Sequence, residues 1–268
     1  FSRSGSRKTV LLWSLVLGGL LVLLTGGGVA VVVPTTLLCR QHFQTFGDRF
    51  QGLPVRIEQI SRLVTAKRVR KVKAGLADGT VDIVIGTHAL LAKDVEFRDL
   101  SLLVIDEEQH FGVAHKERLK QFKADVHVLT LSATPIPRTL QLALTGIREM
   151  SFIATPPIDR LAVRTFVMPH DPVVIREAIL RERFRGGQTF YVCPRVADLF
   201  KLEEPLKALV PEVKITVAHG RMAAKNLEAT ISQFYDSAFD VLLSTNIIEA
   251  GLDMPTVNTI VIHRADMF

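Results

Sequence analysis

Residues 102–110 read Leu-Leu-Val-Ile-Asp-Glu-Glu-Gln-His, and this stretch indicates the fold more clearly than any other. Four consecutive apolar residues are typical of a strand buried on both faces, as in a parallel sheet. The carboxylates that follow then lie at the carboxyl edge of the sheet, where open α/β folds bind ligands. Asp106 could hold Mg²⁺ there, and its neighbour Glu107 could orient an attacking water. A strand followed by an exposed acidic turn without a binding function would have the same sequence pattern.

Short β-branched runs recur along the chain, with helix-like segments between them. The predicted strands are residues 29–33, 81–85, 102–105, 126–131, 188–192, 214–218, 240–244 and 259–263. Alternating strands and helices imply parallel sheets joined by right-handed crossovers. The two prolines of Thr155-Pro156-Pro157 oppose a helix and mark a boundary. We therefore predict an α/β protein with two tandem lobes of mainly parallel sheet, residues 1–154 and 164–268, joined by a linker at 155–163.

The composition excludes several classes of protein. Of the 268 residues, 48% are hydrophobic and 22% charged, which is too apolar for a disordered chain. The only cysteines, Cys39 and Cys193, are too few for a disulfide framework or a cysteine-based zinc site, and they favour an intracellular protein. The net charge of +6 suits a nucleic-acid partner, although many basic proteins bind none.

Small polar residues follow several of the predicted strands. In the first half these segments are Pro-Thr-Thr at 34–36, Gly-Thr-His at 86–88 and Leu-Ser-Ala-Thr-Pro at 131–135. In the second half they are Ala-His-Gly at 218–220 and the stretch from 245 to 255. Hydroxyl groups and open backbone N–H groups at strand ends suit contacts with phosphates. Each segment alone is also ordinary for a loop between a strand and a helix.

In their order and spacing, these segments resemble the motifs of superfamily 2 helicases, motors with two RecA-like lobes. The matching segments are PTTLL at 34–38, GTHALL at 86–91, DEEQ at 106–109, LSATPIPRTL at 131–140 and TNIIEAGLDMP at 245–255. Residues 106–120 and 155–163 resemble the translocase part of bacterial transcription-repair coupling factors most closely, and RecG branch-migration helicases share most motifs. The resemblance implies a cytoplasmic ATP- and Mg²⁺-dependent motor that moves on double-stranded DNA in transcription-coupled repair, with no membrane contact. RNA polymerase and nucleotide-excision-repair proteins would bind regions that this chain does not contain.

The resemblance implies a role for each residue that matches a family motif. Asp106 would coordinate Mg²⁺, Glu107 would position the hydrolytic water, and Gln109 would belong to the same catalytic motif. The residues implied to bind ATP are Gly5, Lys8, Thr9, Gly251 and Asp253, with Thr9 also a ligand of Mg²⁺. Those implied to couple hydrolysis to lobe movement are Ser132, Ala133 and Thr134. Those implied to lie along the DNA are Thr35, Thr36, Thr87, His88, His219, Gly220 and Thr245.

The N-terminal segment departs from the family pattern. Residues 2–9 align with the phosphate loop GxxxxGK[ST], but Ser2 and Arg7 replace both glycines. Glycine lets the backbone approach phosphate closely, so these replacements favour an alternative, a catalytically dead remnant that only binds nucleic acid. Residues 10–24 are apolar almost all round. They have three interpretations: a buried helix of a diverged lobe, a membrane-inserting segment, or a reading-frame error that ends near Gly28.

The C-terminal segment also departs from the pattern, because the arginine motif that follows in the family would lie beyond Phe268. We therefore expect the second lobe to be incomplete. Arginine fingers contribute roughly 10³–10⁵ in rate where they have been measured, so we expect this chain alone to be a weak ATPase.

Overall fold

The computed structural model describes residues 26–107, 111, 126–132, 151, 163–246 and 254–268. The contacts between Cα atoms divide the chain into two compact units, residues 1–163 and 164–268. The three interpretations of residues 10–24 concern a segment that lies outside the described residues. Each unit is an α/β layer built on a parallel sheet.

The first unit contains a five-stranded sheet in the order β2-β3-β1-β4-β5, with every neighbouring pair parallel. Its strands are β1 (Gly28–Val32), β2 (Ile57–Ile60), β3 (Ile83–Gly86), β4 (Leu100–Asp106) and β5 (His127–Leu131). Its helices are α1 (Thr36–Arg49), α2 (Ala66–Asp78) and a single 3₁₀ turn (His88–Leu91). The central strands are nearly continuous apolar runs, and all four residues of β3 are buried. This burial on both faces follows from packing between helices in a parallel sheet.

Helix α1 begins directly after the loop that leaves β1. The Thr35 hydroxyl accepts a hydrogen bond from the backbone N–H of Leu38 at 3.2 Å, which caps the helix. Cys39, His42 and Phe46 follow at helical spacing and form part of its buried face. The cap and this face together fix how α1 packs against β2 and β3.

The second unit contains a four-stranded parallel sheet in the order β7-β8-β6-β9. Its strands are β6 (Gln188–Val192), β7 (Ile215–Ala218), β8 (Val241–Ser244) and β9 (Val257–Ile262). Its helices are α3 (Pro172–Phe184), α4 (Val196–Leu209), α5 (Ala224–Tyr235) and a 3₁₀ turn (Ala265–Met267). Asp171 caps α3 by accepting a hydrogen bond from the N–H of Val173, and a proline occupies the first helical position.

The predicted α/β class with parallel sheets is confirmed, and all eight predicted strands are present with bounds that shift by a few residues. The prediction of four strands in the first lobe was wrong, because β2 was missed. Glu58 and Gln59 interrupt its apolar pattern, and only Ile60 is buried, since β2 lies at an edge of the sheet. The residues of β9, at an edge of the other sheet, alternate between half-buried and exposed.

Candidate functional site

The carboxyl edge of the first sheet gathers the predicted residues of the first unit that the structure describes. The parallel strands β1, β3, β4 and β5 are neighbours in the sheet and therefore end at one edge. The loops that leave this edge follow Val32, Gly86, Asp106 and Leu131. The predicted residues at or directly after these ends are Thr35, Thr36, Thr87, His88, Asp106, Glu107 and Ser132.

Asp106 is the last residue of β4, and its side chain is 19% exposed. Its Oδ2 atom lies 3.1 Å from Nε2 of His42, a side chain on the buried face of α1. Sequence reasoning missed His42. Its helical spacing from apolar residues indicates a position on the buried face of the helix. The sequence alone does not show that its ring faces Asp106.

Glu107 follows Asp106 in a left-handed backbone conformation, with φ of 52°. This conformation is unfavourable for residues with a Cβ atom, and surrounding structure must hold it in place. One restraint is the hydrogen bond from the N–H of Glu107 to the carbonyl oxygen of Leu131, at 3.0 Å, which links the end of β4 to the end of β5. Glu107 is only 3% exposed. The turn at the strand end is therefore tightly determined.

The predicted DNA-contacting residues of this edge differ in their access to solvent. The Thr35 hydroxyl already caps α1, and Thr36 and Thr87 are 5% and 4% exposed. His88 is exposed at the start of the 3₁₀ turn. The start of α1 lies at the same edge, and a helix N-terminus is a favourable position for an anion.

The second sheet presents its predicted residues at its own carboxyl edge. His219 and Gly220 follow β7, and Thr245, which is 6% exposed, follows β8. Two buried polar atoms at this edge, Oγ of Ser244 and Nδ1 of His219, make no hydrogen bond within the described part of the chain.

The other predicted site residues lie outside the described residues, and so their roles stay predictions. They are Gly5, Lys8, Thr9, Gln109, Ala133, Thr134, Gly251 and Asp253.

The chemistry at Asp106 fits a hydrated Mg²⁺ ion. Among the described residues there is no group of three or more His, Cys, Asp or Glu side chains that could hold a metal. Mg²⁺ does not need such a cage, since it commonly binds one or two carboxylates together with substrate phosphates and water. Asp106 supplies one partly exposed carboxylate at a sheet edge that binds ligands in this fold class. A cavity of about 290 Å³ opens at the opposite, amino edge, beside Gly28, Val81 and Asp99, so it is separate from this site.

Within the described ranges, no helix is both long enough and apolar enough to cross a membrane.

Two family models match the chain. The DEAD/DEAH box helicase model matches residues 2–143, and the helicase conserved C-terminal domain model matches residues 172–267. The chain is also similar to curated transcription-repair-coupling factors. It is 54% identical to that of Rickettsia prowazekii over 238 residues and 55% identical to that of Escherichia coli over 240 residues. These matches cover 89% and 90% of this chain but 21% of each relative, so the chain spans about a fifth of their length.

Solved helicase structures share the fold. A structure of RecG bound to a three-way DNA junction is 34% identical, with a TM-score of 0.73, and the match covers 91% of this chain and 32% of that one. A yeast Dbp5 variant bound to RNA and ADP BeF3 is 18% identical, with a TM-score of 0.66 over 97% of this chain and 68% of that one, which supports the fold alone. Since a helicase family model covers more than half of the residues, and a second one covers most of the remainder, the chain belongs to the DEAD/DEAH box helicases, superfamily 2 helicase-type ATPases with two tandem RecA-like lobes.

Proposed function

We propose that this chain carries the motor part of an ATP-dependent translocase that moves on double-stranded DNA in transcription-coupled repair. The observation that carries this proposal is the pair Asp106 and Glu107 at the carboxyl end of a buried parallel strand. More than half of the aligned positions are identical to transcription-repair-coupling factors, which supports the same reaction and a cytoplasmic location. RNA polymerase and nucleotide-excision-repair proteins would be partners of the longer protein.

In this proposal, the carboxyl edge of the first sheet binds and hydrolyses ATP. Asp106 holds Mg²⁺ together with Thr9, and Glu107 orients the attacking water, with Gln109 in the same motif. Bound Mg²⁺ would supply positive charge that stabilises the phosphates of ATP.

The restrained end of β4 supports these roles. The Asp106 carboxylate contacts Nε2 of His42, and the N–H of the next residue, Glu107, donates to the carbonyl oxygen of Leu131. Residues whose positions are restrained before the reaction orient substrate and water at a smaller entropic cost.

The remaining residues are assigned from the same family motifs. Nucleotide binding is assigned to Gly5, Lys8, Thr9, Gly251 and Asp253, and coupling to Ser132, Ala133 and Thr134. DNA contact is assigned to Thr35, Thr36, Thr87, His88, His219, Gly220 and Thr245. Because Thr36 is buried, we assign its contribution to its backbone N–H group at the start of α1 rather than to its hydroxyl. The backbone N–H of Thr87 already donates to the carbonyl oxygen of Ile60 at 3.2 Å, so the assignment of Thr87 rests on the family motif alone.

The test compares Asp106→Ala and Glu107→Gln with the parent chain. We expect Asp106→Ala to lose Mg·ATP binding, and Glu107→Gln to bind Mg·ATP without hydrolysing it. Glu96→Gln, an exposed carboxylate between the 3₁₀ turn and β4, is the matched control and should behave like the parent. The assignment of Asp106 fails if its alanine variant binds Mg·ATP as tightly as the parent does.

A second candidate function is that of a nucleic-acid-binding remnant without catalysis. It is favoured by Ser2 and Arg7, which occupy the glycine positions of the phosphate loop. This candidate predicts DNA affinity that falls with salt but does not respond to nucleotide. Comparing a plain duplex with a three-way junction in the same assay also tests a RecG-like preference for branched DNA.

A further inference from the structure

His42 reaches Asp106 from a different element of the first unit. Its Nε2 atom lies 3.1 Å from Oδ2 of Asp106. An ionised carboxylate only accepts hydrogen bonds, so Nε2 carries the proton and donates it to Asp106. The position of the Asp106 side chain is thus restrained by a residue of α1 as well as by the backbone of β4.

The ring of His42 is fixed by packing as well as by this hydrogen bond. His42 is 8% exposed and meets Phe46 edge to face, with ring centroids 6.5 Å apart. Phe46 in turn stacks on Phe50 at 6.0 Å. Burial and the contact with Phe46 restrict the orientation of the ring, so the hydrogen bond to Nε2 favours one orientation of the Asp106 carboxylate.

The other ring nitrogen argues against a purely packing role. Nδ1 of His42 is buried and has no hydrogen-bond partner among the described residues. Leaving a buried polar atom unpaired costs free energy, and an apolar side chain would fill the same position without that cost. The hydrogen bond to Asp106 is thus the interaction that a histidine at position 42 makes and an apolar residue such as leucine could not make.

We propose that His42 is a positioning residue for the metal site, which holds one carboxylate oxygen of Asp106 so that the other is presented to Mg²⁺. The inference rests on the proposed function, in which Asp106 is a ligand of the ion. Ligating carboxylates are commonly oriented by such outer partners, whose loss lowers metal affinity by about 10–100-fold.

The experiment measures the affinity of the full chain for Mn²⁺, a paramagnetic substitute for Mg²⁺, by electron paramagnetic resonance in the presence of the non-hydrolysable analogue AMP-PNP. We expect His42→Leu and His42→Asn, whose amide is too short to reach Asp106, to weaken Mn²⁺ binding by about 10–100-fold. His42→Gln keeps a donor at a longer reach and should restore most of the affinity. Gln44→Ala, an exposed change on the same helix, is the control and should leave it unchanged.

Two results overturn the inference while leaving the proposed function in place. One is an unchanged Mn²⁺ affinity in both His42→Leu and His42→Asn, when Asp106→Ala binds Mn²⁺ weakly. The other is equal weakening in His42→Gln and His42→Asn, which indicates a packing role only. If Asp106→Ala binds Mn²⁺ as the parent does, or the parent binds none, the proposed function fails and this inference fails with it. Because Gln and Asn are both polar and smaller than the ring, their comparison remains valid even if the leucine variant does not fold.

Discussion

The two cysteine thiols lie in the cores of different units, and both are 0% exposed. Sγ of Cys39 donates to the carbonyl oxygen of Ile85 at 3.4 Å. Burial raises the pKa of Cys39 to about 12, against a small opposite effect of the Ser61 hydroxyl. Burial, with a contribution from the nearby Asp198 carboxylate, raises the pKa of Cys193 to about 11. Neither thiol is therefore a nucleophile near neutral pH.

We expect both thiols to be unreactive towards Ellman's reagent in the native chain at about pH 8, because the thiolate fraction is negligible and access is blocked. Unfolding in guanidinium should release both at once on the time scale of the assay. In Cys39→Ser the only remaining thiol is Cys193, so its reaction reports unfolding of the second unit alone. Rapid reaction of either thiol without denaturant would show that its burial is wrong.

Glu182 connects the end of α3 to the strand β9. It is 1% exposed and accepts hydrogen bonds from Nε of Arg185 at 2.9 Å and from the hydroxyl of Thr259. Burial alone would raise the pKa of Glu182, but the hydrogen bonds from Arg185 and Thr259 outweigh it, so the pKa lies below its ordinary value of 4.5. A folded-state pKa below the unfolded one adds stability above the unfolded pKa, and that stability is lost as the pH falls.

We therefore expect the free energy of unfolding of the second unit to decrease as the pH is lowered from 4.5 through the depressed pKa of Glu182. Glu182→Gln should lose part of this pH dependence. It should also cost about 1–3 kcal/mol near neutral pH, because its amide group faces donors. Urea unfolding at several pH values measures both effects, with hydrogen exchange of peptides from residues 164–268 to locate them. Glu204→Gln, whose side chain is 80% exposed, is the control and should unfold like the parent.

At the scale of elements, Gly86 sets how closely strand β3 approaches its surroundings. A Cβ atom there would lie 2.7 Å from the carbonyl oxygen of Ile60 and 2.6 Å from Cγ of the buried Leu90. The end of β3 and the 3₁₀ turn after it can therefore pack together only without a side chain at this position. Gly47, inside α1, has open space around the position of a Cβ atom.

The two glycines should respond to alanine in opposite directions. Gly86→Ala should destabilise the first unit by about 1–3 kcal/mol through overpacking. Gly47→Ala should stabilise it by about 0.5–1 kcal/mol, because alanine restricts the unfolded chain and favours the helix. The midpoint of urea unfolding gives both signs in one experiment. A neutral Gly86→Ala would mean that Leu90 and β2 can move apart without cost.

The elements that sequence could predict are those with a continuous apolar pattern. Strands β1, β3, β4 and β8 are buried on both faces, and their runs of apolar residues predict such burial. Strand β2 has no such run, because it lies at an edge of the sheet beside β3 and is only partly buried. Asp106 and Glu107 could be predicted as site residues since they end a strand. His42 could not, because its contact with Asp106 spans 64 residues and depends on how α1 crosses the sheet.

At the scale of the whole molecule, the positive charge is unevenly distributed. Residues 1–163 contain 21 Lys and Arg against 14 Asp and Glu, whereas residues 164–268 contain 12 against 13. The net charge of +6 therefore comes from the first unit. Helix α2 contributes four exposed basic side chains in its first two turns: Arg68, which pairs with Glu58 at 3.1 Å, and Lys67, Arg70 and Lys71. This helix follows β2, whose carboxyl end lies at the same sheet edge as the loops of Thr35 and Thr87.

This placement predicts that the start of α2 contacts the phosphate backbone of bound DNA. Each basic side chain that neutralises a phosphate adds about 0.9 to the slope of log affinity against log salt concentration. We expect the combined Lys67→Ala, Arg70→Ala and Lys71→Ala variant to bind a DNA duplex more weakly at low salt and to lower that slope by about 2–3. Fluorescence anisotropy over a range of salt concentrations measures both quantities.

The matched control removes the same number of exposed positive charges from the second unit, at Arg181, Lys201 and Lys214, away from the loop of His219 and Gly220. The overall net charge then changes equally in both variants, so a general electrostatic effect would lower the two slopes by the same amount. A slope that falls only in the α2 variant assigns phosphate contacts to the carboxyl edge of the first sheet. A slope that falls only in the control variant would place the DNA on the second unit and contradict this prediction.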